Sequence, residues 1–411
     1  MLKHKIYDNG LTLIVCEGGA ISCSFSIMIG TGSINETDKT NGISHYIEHM
    51  NFKGNKSYTA YEISDIMESQ GANFNAYTST ESTCFYAQTI TDSLEKTFSV
   101  LSESAFNSTY PCEEAEKEKN VIIEEINMSE DSPDDVCYDL MMKSYYGESG
   151  YGRTILGTQE NVSSFTISDV KKYLSDYYVA ENVVISFAGN VTIEQADSLV
   201  KKYVLPLLSG NKKKETPPHN VNCLKQNLVK IKDIEQAHIA LSFPTRNYGD
   251  KDKVISEVAV GILGGGMSSR LFRKVREELG LAYSVYSFAS RYKTAGNLNI
   301  YAGVNLDEYK NAFMAIKEVI EKIKKEGVTE AEVEKVKTGL KASTVYAQEK
   351  PLGLSQFYAS HYLKTGKLYD FEDRLKQIEA VTVSKVNNEF NNLSFDNVST
   401  AVVGKNVEKL Q

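Results

Sequence analysis

Hydrophobic and polar residues alternate along the chain in two patterns, one typical of β-strands and one typical of amphipathic helices. Strand patterns occupy residues 22–29 (SCSFSIMI) and 238–245 (HIALSFPT). Helical patterns open with a Thr cap in residues 166–174 and 382–390. Hairpins, not regular β–α–β alternation, connect the strands. The sequence therefore predicts an α+β fold in which an antiparallel or mixed sheet carries helices on one face.

The two halves of the chain repeat the same succession of patterns. Residues 181–191 and 396–407 are each a short apolar strand that runs into a Gly turn. Residues 67–88 and 275–303 both read as a helix, a Gly stop and two alternating strands. Several of these pairs share an offset of about 216 residues. An internal duplication is favoured over chance similarity among short motifs.

One segment between the halves has the composition of a linker, SGNKKKETPPHN. It predicts an N-terminal domain of residues 1–208, a linker of residues 209–221 and a C-terminal domain of residues 222–411. A chain of 411 residues also exceeds the usual size of a single core. We expect two similar domains arranged as a clamshell.

The composition narrows the function classes. The net charge of −9 argues against nucleic-acid binding, because phosphate contacts require clustered Lys and Arg. None of the six cysteines forms a CxxC pair, which favours a reducing compartment. A strand pattern begins almost at the N-terminus, and no apolar run approaches the ~18 residues of a membrane span. We expect a cytoplasmic protein with no membrane partner.

The stretch GISHYIEHMNFKG contains a motif with metal-binding character. His45 and His49 are four residues apart, so on a helix their imidazoles share one face. Glu48 lies beside them in the order H-x-x-E-H, in which the Glu is a general base in inverted zincins. The alternative is an amphipathic helix that happens to carry histidines. At the common offset the second half has only glycines, Gly261, Gly264 and Gly265, which favours the functional interpretation.

A third ligand is needed, and residues 113–131 offer carboxylates on a helix-like segment. Glu118 and Glu125 are seven residues apart, two helical turns, and therefore share a face. The economical hypothesis makes Glu125 a ligand and Glu118 a supporting carboxylate. The alternative is a solvent-exposed acidic helix with no role in metal binding. At the common offset Lys341 replaces Glu125 in the second half, and a protonated lysine cannot bind zinc.

These residues together resemble the pitrilysin/insulinase family of inverzincin metallopeptidases. The chain is similar along its whole length to the short two-domain branch, which includes mitochondrial processing peptidases and their bacterial relatives. The resemblance implies one Zn²⁺ per chain, held by His45, His49 and Glu125. It also implies that Glu48 is the general base and Glu118 a supporting carboxylate. The first domain would then be catalytic, and the second would lack zinc ligands.

The second half contains a segment that also resembles the family, GGGMSSRLFRKVREELGLAYSVYS. In the family an Arg and a Tyr seven residues apart in this domain steady the substrate, and Arg276 and Tyr283 match that spacing. Each also has an ordinary interpretation, a surface helix cation and a strand aromatic. Phe74, Asn75 and Ala76 resemble the edge strand on which the family lays its peptide substrate.

The resemblance implies a zinc-dependent endopeptidase that hydrolyses short or unfolded peptides. A rival hypothesis is a non-catalytic binding or assembly subunit of the same fold. A second rival is a structural zinc site, for which Cys84 is the nearest candidate fourth ligand. We expect a homodimer, and a heterodimer with a related subunit is left open.

Overall fold

The computed structural model describes residues 1–208 and 210–410. Ser209, the first residue of the predicted linker, and Gln411, the last residue of the predicted second domain, lie outside the described residues. The strands of the described chain are β1 Leu2–Ile6, β2 Thr12–Glu17, β3 Ser22–Ile29, β4 Asn73–Thr78, β5 Thr83–Ile90, β6 Val183–Gly189, β7 Asn227–Ile231, β8 Gln236–Pro244, β9 Ala282–Arg291, β10 Gly296–Asn305 and β11 Ser399–Gly404.

The helices separate and flank these strands, together with short 3₁₀ turns. They are α1 Ile43–Met50, α2 Ala60–Ser69, α3 Leu94–Phe106, α4 Cys112–Asp131, α5 Pro133–Tyr146, α6 Gln159–Ser164, α7 Ile167–Tyr177, α8 Ile193–Tyr203, α9 Lys253–Gly264, α10 Tyr309–Glu326, α11 Glu330–Tyr346, α12 Pro351–Thr365, α13 Phe371–Glu379 and α14 Val383–Asn391. A π-helical segment covers Phe272–Glu278. Among the helices of the described residues, none is both long enough and apolar enough to cross a bilayer.

The strands form two mixed sheets with the same arrangement. The first has the order β1-β2-β6-β3-β5-β4 and the second β7-β11-β8-β10-β9. In the first sheet β2 and β6 are parallel, and in the second β7 and β11 are parallel. The remaining neighbours are antiparallel. The α+β prediction is confirmed, and the shared strand order agrees with a duplication to which the first half adds β1.

The first sheet packs one face against α1, α2 and α3. Alternate residues of its strands point into this core, where Phe25 and Phe187 meet Phe98 of α3 at ring-centroid distances of 5.7 Å or less. Ile47 of α1 is fully buried in the same core. Each large apolar side chain buried in this way contributes about 1.5–3 kcal/mol to the free energy of unfolding. This core holds α1 against the sheet.

The opposite face of the first sheet is covered by α12, which packs against β3 and β6. The residues beneath it are small: Ser24, Ser26 and Ser186 are fully buried, and Ser26 pairs with Ser186 across the strands. Tyr358 of α12 hydrogen-bonds Cys16 on the same face. Small side chains let the helix approach the sheet closely. The structure thus adds a helix to the face that was expected to be bare.

The second sheet is covered in the corresponding way by α5, which packs against β11 and β8. The hydroxyl of Tyr146 donates to Asn297 Oδ1 at 3.1 Å. His238 Nδ1 lies 2.9 Å from Asp134 Oδ1 at the other end of the helix, and burial lowers the pKa of His238. The other face of this sheet forms a separate apolar core with α9 and α10. Each sheet therefore has helices on both faces.

The compact units are not continuous in sequence. One consists of Met1–Asn127, Thr154–Pro218 and Tyr346–Tyr369, and the other consists of Met128–Arg153, His219–Val345 and Asp370–Gln411. The division at Pro218 and His219 falls within the predicted linker. The units differ from the predicted continuous domains in two segments, because α12 belongs with the first sheet and α5 with the second. In each case the helix joins the unit whose sheet face it covers, because that face would otherwise have no packing partner.

The small side chains beneath α12 generate a prediction. Ser186→Leu should lower the free energy of unfolding by about 1–3 kcal/mol, because the extra volume has no space between sheet and helix. Ser175→Leu, at an exposed position in the same unit, should change it by less than about 0.5 kcal/mol. Urea denaturation of both variants measures the difference. Equal midpoints would show that α12 does not press on this face.

Candidate metal centre

Helix α1 presents its two histidines because its apolar residues take the other face. Ile47 and Met50 are buried in the core, while His45 and His49 keep 12% and 18% of their side-chain surface exposed. The helix starts after Gly42, whose φ of +99° places it in the left-handed region. A Cβ there would lie 2.7 Å from a backbone carbonyl oxygen. Only glycine suits this entry into the helix.

Glu125 of α4 meets both histidines. Its Oε2 lies 3.7 Å from His45 Nε2 and 3.5 Å from His49 Nε2. The three ligand atoms all lie within 4.8 Å of one another. Zinc–ligand bonds of about 2.0–2.2 Å imply roughly 3.3–3.6 Å between neighbouring ligand atoms of a tetrahedral site. The donor set and its spacing therefore fit a zinc ion.

The protonation of the histidines also bears on metal binding. Burial, reinforced by the charge of His49, lowers the pKa of His45 to about 3, so this imidazole is neutral and able to bind a metal. Burial acts in the same direction on His49. There, however, the hydrogen bond to Glu118 and the nearby charges of Glu125 and Glu48 prevail and raise the pKa. A metal ion at His49 competes with a proton.

Glu118 orients His49. Its Oε1 lies 2.8 Å from His49 Nδ1, which leaves Nε2 directed at Glu125. The other carboxylate oxygen accepts a hydrogen bond from Lys53 Nζ at 2.6 Å. Burial opposes ionisation of Glu118, but these two partners outweigh it and lower the pKa. Sequence reasoning missed Lys53, which lies just after the end of α1 and for which the only signal is a cation four residues after His49.

Glu48 immediately precedes His49 on α1 and is nearly buried. Burial raises the pKa of Glu48, and the charge of Glu125 adds to this effect, while Thr78 and His49 oppose it. The Thr78 hydroxyl donates a hydrogen bond to Glu48 Oε2. Thr78 ends β4, far from Glu48 in sequence, and sequence reasoning missed it. A carboxylate with a raised pKa beside a metal-binding trio is suited to accept a proton.

Strand β4 is the edge of the first sheet, as the sequence predicted for this segment. Phe74 is partly buried and packs against Phe52 at a ring-centroid distance of 6.1 Å. Asn75 is exposed, and its side-chain oxygen accepts the backbone N–H of Ala76 at 2.8 Å. The edge is available for an added strand once that N–H is released.

Arg276 and Tyr283 come together in the second compact unit, whereas the metal-binding trio belongs to the first. Arg276 Nη1 donates to the Tyr283 carbonyl oxygen at 2.6 Å, and its guanidinium lies 4.8 Å from the centroids of the Tyr283 and Phe272 rings. The Tyr283 side chain is 76% exposed. Arg276 is part of the π-helical segment, a rare geometry that is frequent at functional sites.

A structural zinc site would need a fourth protein ligand. In the part of the chain that the structure describes, His45, His49 and Glu125 are the only group of three or more potential ligands that converge. Cys84 is fully buried, and burial raises the pKa of its thiol to about 12, which disfavours the thiolate that zinc needs. The Glu125 side chain is 40% exposed. Three protein ligands with solvent access are typical of a catalytic metal site.

Two family profiles match the chain. Residues 15–159 match insulinase (peptidase family M16), and residues 164–340 match the peptidase M16 inactive domain. An uncharacterized zinc protease of Bacillus subtilis, YmxG, is 36% identical over 389 residues, covering 94% of each chain. The chain belongs to the insulinase family, peptidase family M16. The metal-binding trio lies within the part that matches the insulinase profile, and Arg276 and Tyr283 lie within the part that matches the inactive domain.

A second relative and two solved structures are similar to the chain over nearly its whole length. An uncharacterized zinc protease of Rickettsia felis is 33% identical over 400 residues, covering 97% of this chain and 96% of its own. Two solved structures share the fold. A protease from Helicobacter pylori superposes with a TM-score of 0.92 at 24% identity, covering 98% of this chain and 99% of its own. A Pseudomonas fluorescens peptidase M16 inactive domain superposes with a TM-score of 0.91 at 20% identity, covering all of both chains.

The hydrogen bond that Glu118 accepts from His49 leads to a prediction on metal affinity. Glu118→Gln should weaken Zn²⁺ binding by about 10- to 100-fold, because the amide orients and polarises the imidazole less well. Competition with a chromogenic chelator measures the dissociation constant. Glu124→Gln is the matched control, because Glu124 is exposed on the same helix. If both variants bind Zn²⁺ as tightly as the wild type, Glu118 does not support the site.

Proposed function

We propose that this M16-family chain is a zinc-dependent endopeptidase that cleaves short or unfolded peptides. One observation carries the proposal: two imidazole nitrogens and a carboxylate oxygen converge, and a nearly buried glutamate precedes His49 on the same helix. His45, His49 and Glu125 would hold the zinc ion. When bound, zinc supplies a Lewis acid that activates water and polarises the peptide carbonyl.

Glu48 is the general base of this proposal. Its pKa is raised by burial, which brings its proton affinity closer to that needed near neutral pH. The Thr78 hydroxyl fixes one carboxylate oxygen, so the other oxygen is the one that takes the proton from water. The same carboxyl group then gives the proton to the leaving amine. Throughout, Glu118 holds His49 with its Nε2 directed at Glu125, and Lys53 holds Glu118 in place.

The peptide substrate would add a strand to the edge at β4. Main-chain hydrogen bonds then supply affinity that is independent of side chains, which suits extended peptides better than folded proteins. Asn75 covers the Ala76 N–H in the free protein and would exchange that contact for the peptide. Because Thr78 lies on the same strand and contacts Glu48, the base is tied to the element that binds the substrate.

Arg276 and Tyr283 are proposed to steady the substrate. The guanidinium stacks on the Tyr283 ring and binds its backbone carbonyl, so Arg276 sets the position of the phenol. A phenol hydroxyl can stabilise the charge that develops on the peptide oxygen. Both residues lie in the part of the chain that matches the M16 inactive domain, and this supports a role in binding the substrate.

The second hypothesis is a non-catalytic binding or assembly subunit. The match of residues 164–340 to an inactive domain is the observation that favours it. Against it, Glu48 is present on α1, and the side chains of His45, His49 and Glu125 converge. The peptide partner, the homodimer or heterodimer, the likeness to mitochondrial processing peptidases and the cytoplasmic location stay predictions.

The proposed base gives the decisive test. Glu48→Gln should retain stoichiometric zinc and lose peptide hydrolysis by about 10²- to 10⁴-fold, since the amide cannot accept the proton. Zinc content is measured by elemental mass spectrometry, and cleavage by mass spectrometry of a digested peptide library. Glu68→Gln, an exposed change on α2, serves as the control. A zinc-loaded wild type that binds peptides without cleaving any would favour the non-catalytic hypothesis.

The substrate-steadying pair is tested separately. Tyr283→Phe should lower kcat/KM by about 10²- to 10³-fold through loss of one hydrogen-bond donor to the transition state. Zinc content should not change, because the residue belongs to the other compact unit. Tyr286→Phe on the same strand is the control. Wild-type kinetics for Tyr283→Phe would remove this residue from the mechanism.

A further inference from the structure

Helix α1 lacks an N-terminal cap of its own. Its N-cap residue is Gly42, which has no side chain to accept the free N–H groups of the first turn. The helix is only eight residues long, and isolated helices shorter than roughly 12–15 residues are marginal in water. Its order must come from contacts with the rest of the protein. The question is which contacts fix the turn that carries His45.

The missing cap is supplied by Glu36, a fully buried carboxylate upstream of the helix. Oε2 of Glu36 accepts the backbone N–H of Gly42 at 2.8 Å, and Oε1 accepts the backbone N–H of Ser44 at 2.9 Å. The side-chain amide of Asn41 also donates to Oε2, at 2.9 Å. Burial raises the pKa of Glu36, and the hydrogen bonds from Asn41, Ser44 and Gly42 oppose that shift. One carboxyl group thus takes up the donors on both sides of the first helical residue.

The residue that precedes His45 is also held from the side. The Ser44 hydroxyl and the Tyr173 hydroxyl of α7 are 2.8 Å apart, and the Tyr173 hydroxyl lies 2.8 Å from Thr31 Oγ1. All three side chains are fully buried or nearly so. Ser44 therefore has both its backbone N–H and its side chain fixed. The direction in which His45 leaves the helix follows from this.

The same segment also contacts the turn between β4 and β5. A Cβ on Gly32 would lie 2.0 Å from the carbonyl oxygen of Ser79, so the two backbones are in close contact. The backbone N–H of Ile34 donates to the Thr80 carbonyl at 2.9 Å. Residues 31–36 thus contact the turn at the end of the strand whose Thr78 binds Glu48. Residues 31–36 therefore contact both the start of α1, through Glu36, and the turn that follows the edge strand β4.

We infer that Glu36 is a positioning residue for the metal centre, which acts by fixing the first turn of α1 so that His45 is directed at the ion before the ion binds. The inference rests on the proposed metal-binding function. A metal site needs its ligands held within about 0.5 Å of the productive geometry. A side-chain amide in place of the carboxylate would turn its own N–H towards Gly42 or Ser44. The first turn would loosen, and ordering it would oppose metal binding.

The test uses Co²⁺ as the probe, with Glu36→Gln compared with wild type. The dissociation constant of Co²⁺ should rise by about 10- to 100-fold, and the visible absorption bands of bound Co²⁺ should change. Thr192→Ala is the matched control, since it removes the cap of α8 in the same unit and should leave both readouts unchanged. A Glu36→Gln variant that is thermally destabilised yet binds Co²⁺ with wild-type affinity and spectrum would overturn the inference, since Glu36 would then be structural only.

A second measurement needs no variant. Amide hydrogen exchange of the metal-free wild type should show Gly42 and Ser44 as protected as the N–H groups in the middle of α1. Rapid exchange of both amides would overturn the inference even if Glu36→Gln does not fold. A wild type that binds no Co²⁺, with Gly42 and Ser44 protected, would instead contradict the proposed metal centre and leave Glu36 as a helix cap only.

Discussion

The candidate site depends on keeping two imidazoles and a carboxylate close together while water is largely excluded from the histidines. Burial makes an imidazolium costly, so His45 stays neutral. His49 is exposed to the opposite influence, because Glu118 and Glu125 favour its protonated form. Lys53 shares the Glu118 carboxylate and thereby limits that influence. Burial thus favours neutral imidazoles, whereas the nearby carboxylates favour positive charge. A bound metal ion would supply that positive charge while leaving both imidazoles neutral.

The groups that create this balance between burial and charge are contributed by three different elements of the first unit. Helix α1 contributes the imidazoles, α4 the carboxylates, and the edge strand β4 holds Glu48 through Thr78. The second sheet repeats the strand order of the first except for β1, and among the described residues the only converging group of potential metal ligands is in the first unit. The duplicated sheet therefore accounts for the fold, and a few ionisable residues in one copy form the candidate site. Similarity of fold between the halves carries no implication of similar function.

Much of this arrangement could be predicted from the sequence where the signals are local. The four-residue spacing of His45 and His49 determines a shared helix face, and the seven-residue spacing of Glu118 and Glu125 does the same on α4. The roles assigned to these residues stay predictions, but the structure does bring their side chains together. Glu36, Lys53 and Thr78 were missed. Glu36 and Thr78 reach the site only through the tertiary fold, which residue spacing does not reveal. Lys53 was missed because a single Lys in a sequence is usually an ordinary surface residue.

The exchange of α5 and α12 was also unpredictable from sequence patterns. Amphipathic periodicity shows that a helix has an apolar face, but it does not show which sheet that face will cover. The small residues Ser24, Ser26 and Ser186 read as ordinary strand positions, although they accommodate a helix from far along the chain. Tertiary packing, not local propensity, decides such pairings.

The position of α12 has a consequence for the time course of synthesis. The strands that α12 covers, β3 and β6, precede it in the chain and emerge from the ribosome well before it. Until then one face of the first sheet has no partner helix, so the sheet that supports the metal-binding helix cannot complete its packing. Non-local pairing of this kind slows folding, because a long loop must close before the contact forms. A nascent chain therefore cannot complete the packing around its candidate metal centre until α12 has been translated.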